Sequence, residues 1–365
     1  MAKSGSIPGE TALIEALRRR VRPVSSRKSR LSLGMGDDCA IIQPPRGHEI
    51  LVTTDFSLET IHFHRDWHSP ESVGHRCLAR GLSDLAAMGA QPLAAFLSLA
   101  LPEELVRSTR NRPSWRDRFL AGFLALADRY DVPLAGGDTA RSPRYADPSI
   151  NRPVSGLVLA DIVLIGSAPR GCGLLRSGAK PGDRIYVTGH LGGAAAELQQ
   201  LESAPARFRR CVAPKAGDPN PHPHLFPEPR IAVGLWLKKN RRATAAIDIS
   251  DGLSTDLNHI CEESGLAATL DAAAIPLHPL ANASAAQQKG SEALQLALNG
   301  GEDYELLFTA SPSTRIPRRI AGVPITPVGH ILRYKSGAPR ILLTELVHGK
   351  LRKQPMQPGG WEHYK

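Results

Sequence analysis

The chain has 365 residues, 42% hydrophobic and 22% charged, the proportions of a globular protein with room for two domains and not of a disordered or fibrous one. No run reaches the roughly 18 apolar residues that a membrane-spanning helix needs, and the longest, LAAFLSLAL at 93–101, has the length of a core segment. The formal charge of +10 bears on solubility and steering before function, and aromatic residues, at 5%, do not interleave with the basic runs as base-stacking platforms would.

Taken in chain order, residues 1–22 lack the apolar region and small-residue cleavage site of a secretory signal. They read as a short amphipathic helix with Leu13, Leu17 and Val21 on one face. Basic residues gather at Arg18, Arg19, Arg20 and Arg22, at Arg27, Lys28 and Arg30, and again at Lys238, Lys239, Arg241 and Arg242, and read as solvated faces. LGMGDDCAII at 33–42 then sets two adjacent acids, Asp37 and Asp38, at the mouth of what reads as a buried strand. A β-branched strand at 50–54 closes on Asp55. Ser69-Pro70-Glu71 starts a helix, a capping serine before a proline at the first helical position, and the pattern runs to Gly89. Within it Asp84 shares a face with Cys77, Gly81 and Met88. A glycine there costs about 1 kcal/mol relative to alanine, and the expected compensation is room for a ligand to approach Asp84.

Asp138 follows two glycines in VPLAGGDTARS, and the polar, Pro/Arg-rich segment 142–153 reads as an inserted loop. Turn signals bracket a strand over 184–188, where a second domain begins to show. A proline-rich loop at 214–230 precedes a helix and a strand at 243–249; AAIDISDGLSTDL carries Asp248 and Asp251 from that strand into a helix start. Glu302 and Asp303 precede a strand in LNGGEDYELLFT, and KQPMQPGGWEHYK reads as a tail. This alternation of helix and strand argues for α/β or α+β architecture. Five scattered cysteines without a C-x-x-C pair argue against a zinc site or a disulfide framework and for a reduced, cytoplasmic setting.

Any single Asp beside a Gly has a structural reading as a turn former or helix cap. Together, and with Thr53, Thr54 and Thr139 nearby, the acids make an all-oxygen set that suits Mg²⁺ and lacks the Cys/His spacing of softer metals. The ion also reconciles acids with a phosphate substrate, since like charges at about 4 Å repel by about 4 kcal/mol at intermediate dielectric. Gly136 with Gly137, and Gly300 with Gly301, let backbone N–H groups approach phosphate oxygens. There is no G-x-x-x-x-G-K-[ST] and no D-F-G, and the H-R-D at 64–66 has Glu71 where a kinase catalytic loop needs asparagine, so neither a P-loop nor a protein-kinase site is present.

GMGDDCAII, VTTD with IHF after it, LSDLAAMGAQP, AGGDTARS, RSGAKPGDRIYVTG, IDISDGLSTDL, ALNGGEDYELLFT and the late GGW, in this order, resemble the thiamine-monophosphate kinase family of the aminoimidazole ribonucleotide synthetase superfamily. The resemblance spans about residues 33–361. It implies a two-domain α/β fold, with residues 1–165 as an N-terminal ATP/Mg-binding and dimerisation domain, 166–345 as a C-terminal α/β domain, and 346–365 as a tail reaching the substrate site. It implies a cytoplasmic homodimer that phosphorylates thiamine monophosphate to thiamine diphosphate with ATP, the final step of thiamine diphosphate synthesis, by direct transfer supported by several Mg²⁺ ions.

Carried over by position, the metal residues are Asp38, Thr53, Thr54, Asp55, Asp84, Asp138, Asp248 and Asp251, with Asp84, Asp138 and Asp251 closest to catalysis. The nucleotide contacts are Gly137, Asp138, Arg176 and Ser250, and the thiamine-phosphate contacts are His62, Glu302 and Trp361. Taken alone, His62 reads as a satisfied half-buried histidine, Arg176 as a surface arginine, and Trp361 as a tail anchor. The chain departs from the family pattern at Gly81, usually Asn, at Thr60-Ile61, where glycine is common, and at Ala140, often threonine; 142–153 and 204–227 look longer than usual. A selenophosphate synthetase would carry a cysteine within residues 1–36, and the hydrogenase-maturation relative a cysteine-bearing tail; neither is found. An RNA-binding protein that kept only the fold would have lost the metal carboxylates, which are present.

Overall fold

The structure is a computed structural model that describes residues 15, 17, 19, 30–108, 112–143, 145–147, 152–154, 156–215, 218, 220–287, 292–347 and 350–362. It forms two compact units: residues 1–82, 92–169 and 204–216 make the N-terminal unit, and 83–91, 170–203 and 217–365 the C-terminal one. Among the described residues no helix is long and apolar enough to cross a membrane. Of the early helix reading, Leu17 is helical, whereas Leu13, Val21 and the basic residues Arg18, Arg20, Arg22, Arg27 and Lys28 lie outside the described residues.

The N-terminal unit is built on a four-stranded sheet of β3 (His48–Leu58), β8 (Leu159–Pro169), β4 (Gln91–Leu101) and β5 (Leu134–Arg141), in that order. β3 and β8 are antiparallel and β4 and β5 parallel. A short pair, β1 (Leu31–Leu33) with β2 (Ile41–Ile42), holds the GDD turn between them. β2 is a correction to the sequence reading: Ile41 is 50% exposed, so the two acids do not guard a buried strand. The inserted segment contains a small antiparallel pair, β6 (Tyr145–Asp147) with β7 (Arg152–Val154).

Helix α1 (Pro70–Ala87) starts as expected, with the Ser69 hydroxyl accepting the Ser72 N–H at 3.2 Å. It stops at Gly89, where the Ala90 N–H returns to the Leu85 carbonyl and the Gly89 N–H to that of Ala86, the two bonds of a Schellman ending. Its partner α2 (Trp115–Arg129) opens on a Ser114/Asp117 capping box. The two helices pass at glycines. A Cβ on Gly74 would lie 2.0 Å from the Phe119 carbonyl oxygen, and one on Gly122 would lie 2.0 Å from that of Glu71. This contact buries Phe119 and Phe123 completely.

Ile162 and Leu164 of β8 point inward and are fully buried. The space beside Gly81 is filled by Leu164, whose Cδ1 would be 2.7 Å from an added Cβ. This overturns the expectation of a ligand there: the glycine in α1 is compensated by helix-on-sheet packing. Cys77, on the same face, is completely buried and its thiol is pushed up to about 12 by desolvation, so it serves the core and not as a nucleophile.

At the end of β3, Thr60 adopts φ 75°, a left-handed conformation that a β-branched residue occupies only under strain. The turn holds it through the Thr60 N–H to Phe63 carbonyl bond at 2.8 Å. Thr60→Gly is therefore expected to stabilise the protein by about 1 kcal/mol, the relief of strain outweighing glycine's extra unfolded-state entropy. Denaturant titration checks this; a less stable variant would show that the turn is not strained.

The C-terminal unit is an eight-stranded sheet ordered β10 (Ala245–Ile249), β12 (Glu305–Ala310), β9 (Arg184–Thr188), β14 (Val323–Arg333), β11 (Leu266–Asp271), β15 (Ile341–Val347) and β16 (Lys350–Met356), with β13 (Arg319–Ile320) beside β14. Its ladders are antiparallel except β11 with β15. Helices α3 (Gly193–Ser203), α4 (Ile231–Lys239), α5 (Leu253–Glu263), α6 (Pro279–Gln287) and α7 (Glu292–Asn299) complete it. Ile185, Val187, Ile247, Ile249, Leu307 and Ile331 form the sheet side of the core under Leu257 and Ile260 of α5. β16 corrects the reading of residues from 346 on as a tail, because 350–356 pair with β15 along their whole length. Lys238, counted above in a basic run, is partly desolvated, which lowers its pKa.

Candidate active site

In the N-terminal unit the GDD turn, β4 and β5 border a cavity of about 820 Å³. Apolar side chains such as Leu97, Leu99 and Leu120 line it together with Asp38, Gly137 and Asp138. Gly137 has φ 149°, and a Cβ there would lie 1.9 Å from the Leu97 carbonyl oxygen, so only glycine lets β5 run this close to β4. Asp38 and Asp138 are both exposed; the Asp38 N–H donates to Asp37 at 2.9 Å and the Thr139 N–H to Asp138 at 2.8 Å. An apolar pocket with a few convergent polar groups has the make-up of a small-molecule site.

Thr53, Thr54 and Asp55 lie on β3, separated from β5 by β8 and β4. Three strand spacings amount to about 14 Å, so within the sheet they are not brought beside Asp138. The three also split between faces. Asp55 is half-buried and paired with Arg80 at 2.8 Å, while the Thr54 hydroxyl, on the other face, donates to Asp161 at 2.9 Å. One ion cannot collect all three side chains, so Thr54 would serve a different ion from Thr53 and Asp55. His62 is half-buried, its Nδ1 accepting the Leu58 N–H at 3.0 Å and its carbonyl accepting Arg76 at 3.1 Å. Its Nδ1 and its carbonyl thus serve the turn, which fixes where the ring stands.

The C-terminal unit gathers a second set of acids. Asp84 is half-buried in the last turn of α1, and the hydroxyl of its neighbour Ser83 donates to Asp248 at 2.7 Å. Asp248, only 4% exposed, sits on β10, which runs through Ser250 and Asp251 into α5. Asp256, which the sequence reading passed over, reaches back from the first turn of α5 to accept the N–H groups of Asp251 and Gly252, both at 3.1 Å. The available signal was an acid in the first turn of a helix whose cap is glycine, a cap with no side chain to satisfy the loop. Burial raises the Asp256 carboxyl well above its ordinary value, and the charges of Asp248 and Asp251 push the same way. Asp251, Asp256 and His259 offer ligand atoms within 4.8 Å of one another. Crowded, desolvated carboxylate oxygens fit a hard divalent cation such as Mg²⁺.

The acids of GGEDYE have separate tasks. Asp303 is buried and accepts the N–H groups of Gly192 at 2.7 Å and Ala194 at 3.1 Å, capping α3 from a distant segment. Glu305, on β12, forms a two-point ion pair with Arg230. Glu302, at φ 67°, is left facing His224 at 3.2 Å. Burial pushes the Asp303 carboxyl up to about 7 against the pull of its N–H donors. A folded pKa above the unfolded one means stability that is full below the unfolded value and is lost as pH rises through the folded one. Between about pH 4 and pH 7 this group is therefore expected to make unfolding easier with rising pH. In Asp303→Asn that component should vanish, as denaturation at pH 5, 6, 7 and 8 would show; parallel profiles would refute it.

Arg176 is exposed, and its carbonyl accepts the hydroxyl of Ser264 at the C-terminal end of α5. Ser250 is at the other end of that helix, about 16 Å away along an eleven-residue axis, so the two proposed nucleotide contacts are not neighbours within the chain. The GGW stretch, by contrast, is docked. The Gly359 N–H donates to the Ser254 hydroxyl at 3.2 Å, that of Gly360 to Thr255 at 3.1 Å, and that of Trp361 to the Asp251 carbonyl at 3.2 Å. A Cβ on Gly360 would lie 1.9 Å from that same carbonyl oxygen. The backbone is pinned while Trp361 stays 56% exposed, which does not suit an anchor buried in a core.

Residues 36–158 match the family of the AIR synthase related protein, N-terminal domain, and residues 180–316 that of the AIR synthase related protein, C-terminal domain. The thiamine-monophosphate kinase of Escherichia coli (strain K12) is 38% identical over 327 residues, 88% of this chain and 90% of that protein. The crystal structure of the thiamine-monophosphate kinase from Stenotrophomonas maltophilia K279a shares the fold with a TM-score of 0.71 at 33% identity, over 92% of this chain and 96% of that one. AaThiL complexed with AMPPCP and TMP matches with a TM-score of 0.68 at 26% identity, over 98% of this chain and 97% of that one. With its two-unit mixed fold and near full-length likeness to these proteins, the chain belongs to the thiamine-monophosphate kinase family of AIR synthase related proteins.

Proposed function

We propose an assignment of residues for the reaction of this kinase, which transfers the γ-phosphoryl of ATP to the phosphate of thiamine monophosphate and yields thiamine diphosphate. The N-terminal cavity takes the nucleotide, with the Gly137 backbone free to approach phosphate oxygens and Asp138 beside it; Arg176 and Ser250 are the remaining nucleotide contacts. The ligands for the several Mg²⁺ ions are Asp38, Thr53, Thr54, Asp55 and Asp138 in one unit and Asp84, Asp248 and Asp251 in the other. When bound, the ions neutralise the phosphate charge that these carboxylates would otherwise repel. Asp84, Asp138 and Asp251 are the acids on which turnover depends most. The acceptor is already an ionised phosphate, so no strong general base is required and transfer is direct.

His62, Glu302 and Trp361 hold thiamine monophosphate. The docking of residues 359–361 on the start of α5 carries this reading, because it sets an exposed indole on the Asp251 turn. A thiazolium cation over indole is worth roughly 0.5–2 kcal/mol. Two further features fit a cytoplasmic homodimer: all five cysteines are free, and Ile50, Val52 and Phe56 form an exposed apolar row on β3 at 43%, 62% and 58% exposure.

Formation of thiamine diphosphate from ATP, Mg²⁺ and thiamine monophosphate tests the reaction, and its absence would end this reading. On the same assay Trp361→Ala is expected to raise KM for thiamine monophosphate several-fold to some tens-fold with KM for ATP unchanged. A lower melting temperature with both KM values intact would make Trp361 a tail anchor.

A further inference from the structure

Between α3 and α4 the chain passes through the proline-rich stretch that the sequence presents as a long loop. Glu197 holds its second half at three places. Glu197 of α3, 1% exposed, meets the His222 ring at 2.7 Å and accepts the N–H groups of His224 at 2.8 Å and Leu225 at 3.3 Å. Asn220 accepts the His222 N–H at 3.0 Å and donates to the Phe226 carbonyl at 2.7 Å. Prolines 221, 223, 227 and 229 remove backbone freedom from the same stretch.

Held in this way, His224 is 1% exposed and its Nδ1 lies 3.2 Å from Oε2 of Glu302. Glu302 is thus braced twice. Its neighbour Asp303 is fixed to the N-terminus of α3, and its own carboxylate is met by a ring whose loop is fixed to Glu197 on that same helix. A glutamate side chain has much rotamer freedom to lose on binding, and prior restraint removes that cost from the binding step.

We propose that His224 is a positioning residue that orients the Glu302 carboxylate toward the cationic, amine-bearing part of the acceptor. The proposal rests on the reading of Glu302 as an acceptor contact. A carboxylate repels the acceptor's phosphate, whereas the thiazolium and aminopyrimidine offer the charge and N–H groups it accepts.

The test compares His224→Ala, His224→Asn and His224→Gln with Glu302→Gln. The Asn amide nitrogen takes the place of Nδ1 and the Gln amide that of Nε2, so only Asn keeps a donor toward Glu302. His224→Ala and His224→Gln should raise KM for thiamine monophosphate roughly ten-fold with KM for ATP unchanged. His224→Asn should stay within about two-fold of the parent, as expected when the donor is retained. If the alanine variant does not fold, the Asn–Gln comparison decides. Equal acceptor KM for Asn and Gln, or a lower melting temperature with both KM values unchanged, overturns the proposal. Should Glu302→Gln raise the acceptor KM while His224→Gln does not, the role of His224 alone is refuted. Should Glu302→Gln leave that KM unchanged, the contact itself fails and the proposal with it.

Discussion

Asp84→Asn is expected to lower kcat by about a hundred-fold or more at saturating ATP and Mg²⁺, while the melting temperature moves by no more than a few degrees. The substitution keeps shape and removes charge. Asp84 is half-buried in the last turn of α1, and its carbonyl accepts the Met88 N–H whatever the side chain. Its neighbour Ser83 stays on Asp248, which keeps the surrounding acids in place. What is lost is an oxygen donor for a cation, and no nearby neutral group supplies the charge. Turnover close to the parent's, with unchanged Mg²⁺ dependence, would remove Asp84 from the ligand set. A loss of activity matched by loss of fold would do the same, because Asn is the mildest change available.

Arg230→Met carries the largest expected effect on stability. Arg230 meets Glu305 through Nε at 2.7 Å and a terminal nitrogen at 2.5 Å, with side chains 20% and 5% exposed. Glu305 opens β12, an interior strand that lies between β10 and β9. Breaking a buried pair from one side leaves an uncompensated charge and costs about 3–5 kcal/mol. At about 2–4 °C per kcal/mol for a unit of this size, the melting temperature should fall by about 10 °C. Arg230→Met combined with Glu305→Leu should recover part of the loss, since the pair as a whole contributes less than its halves cost when separated. Calorimetry of the single and double variants decides. A single variant melting within three degrees of the parent would mean that water reaches Glu305.

Some elements were legible because their signals are local. The strand at Arg184–Thr188 lies between KPGD and TGHLGG, turn sequences that leave one stretch to be extended. α1 was legible from its Ser-Pro start and its Gly89 end. Other features depend on residues far away in sequence. Gly81 looked like an opening because Leu164, which fills it, is on β8. Glu302, Asp303 and Glu305 stand within four residues, yet Gly192, His224 and Arg230 each claim a different carboxylate. β16 escaped notice because KLRKQPM has no buried face: Leu351 is 76% exposed, and the strand exists through its ladder with β15. The turns that carry the acids were legible in the local sequence, but which acids the chain brings together was not. Asp256 shows why, since a residue that satisfies its own loop leaves no trace in a scan for exposed acids.

The same strand bears on how the protein survives at high concentration. β16 is the last strand of its sheet, so one side of its backbone faces no further strand of that sheet. Unpaired strand edges recruit other chains and begin aggregates. Along this edge stand Lys350, Arg352 and Lys353, then Pro355, which has no N–H to offer a newcomer. Like charges on two such edges repel, and the proline interrupts any ladder that starts. A segment that contributes little to the core thus protects the largest sheet of the enzyme from fibril-like stacking, and neutral substitutions there would be felt first as lost solubility and not as lost activity.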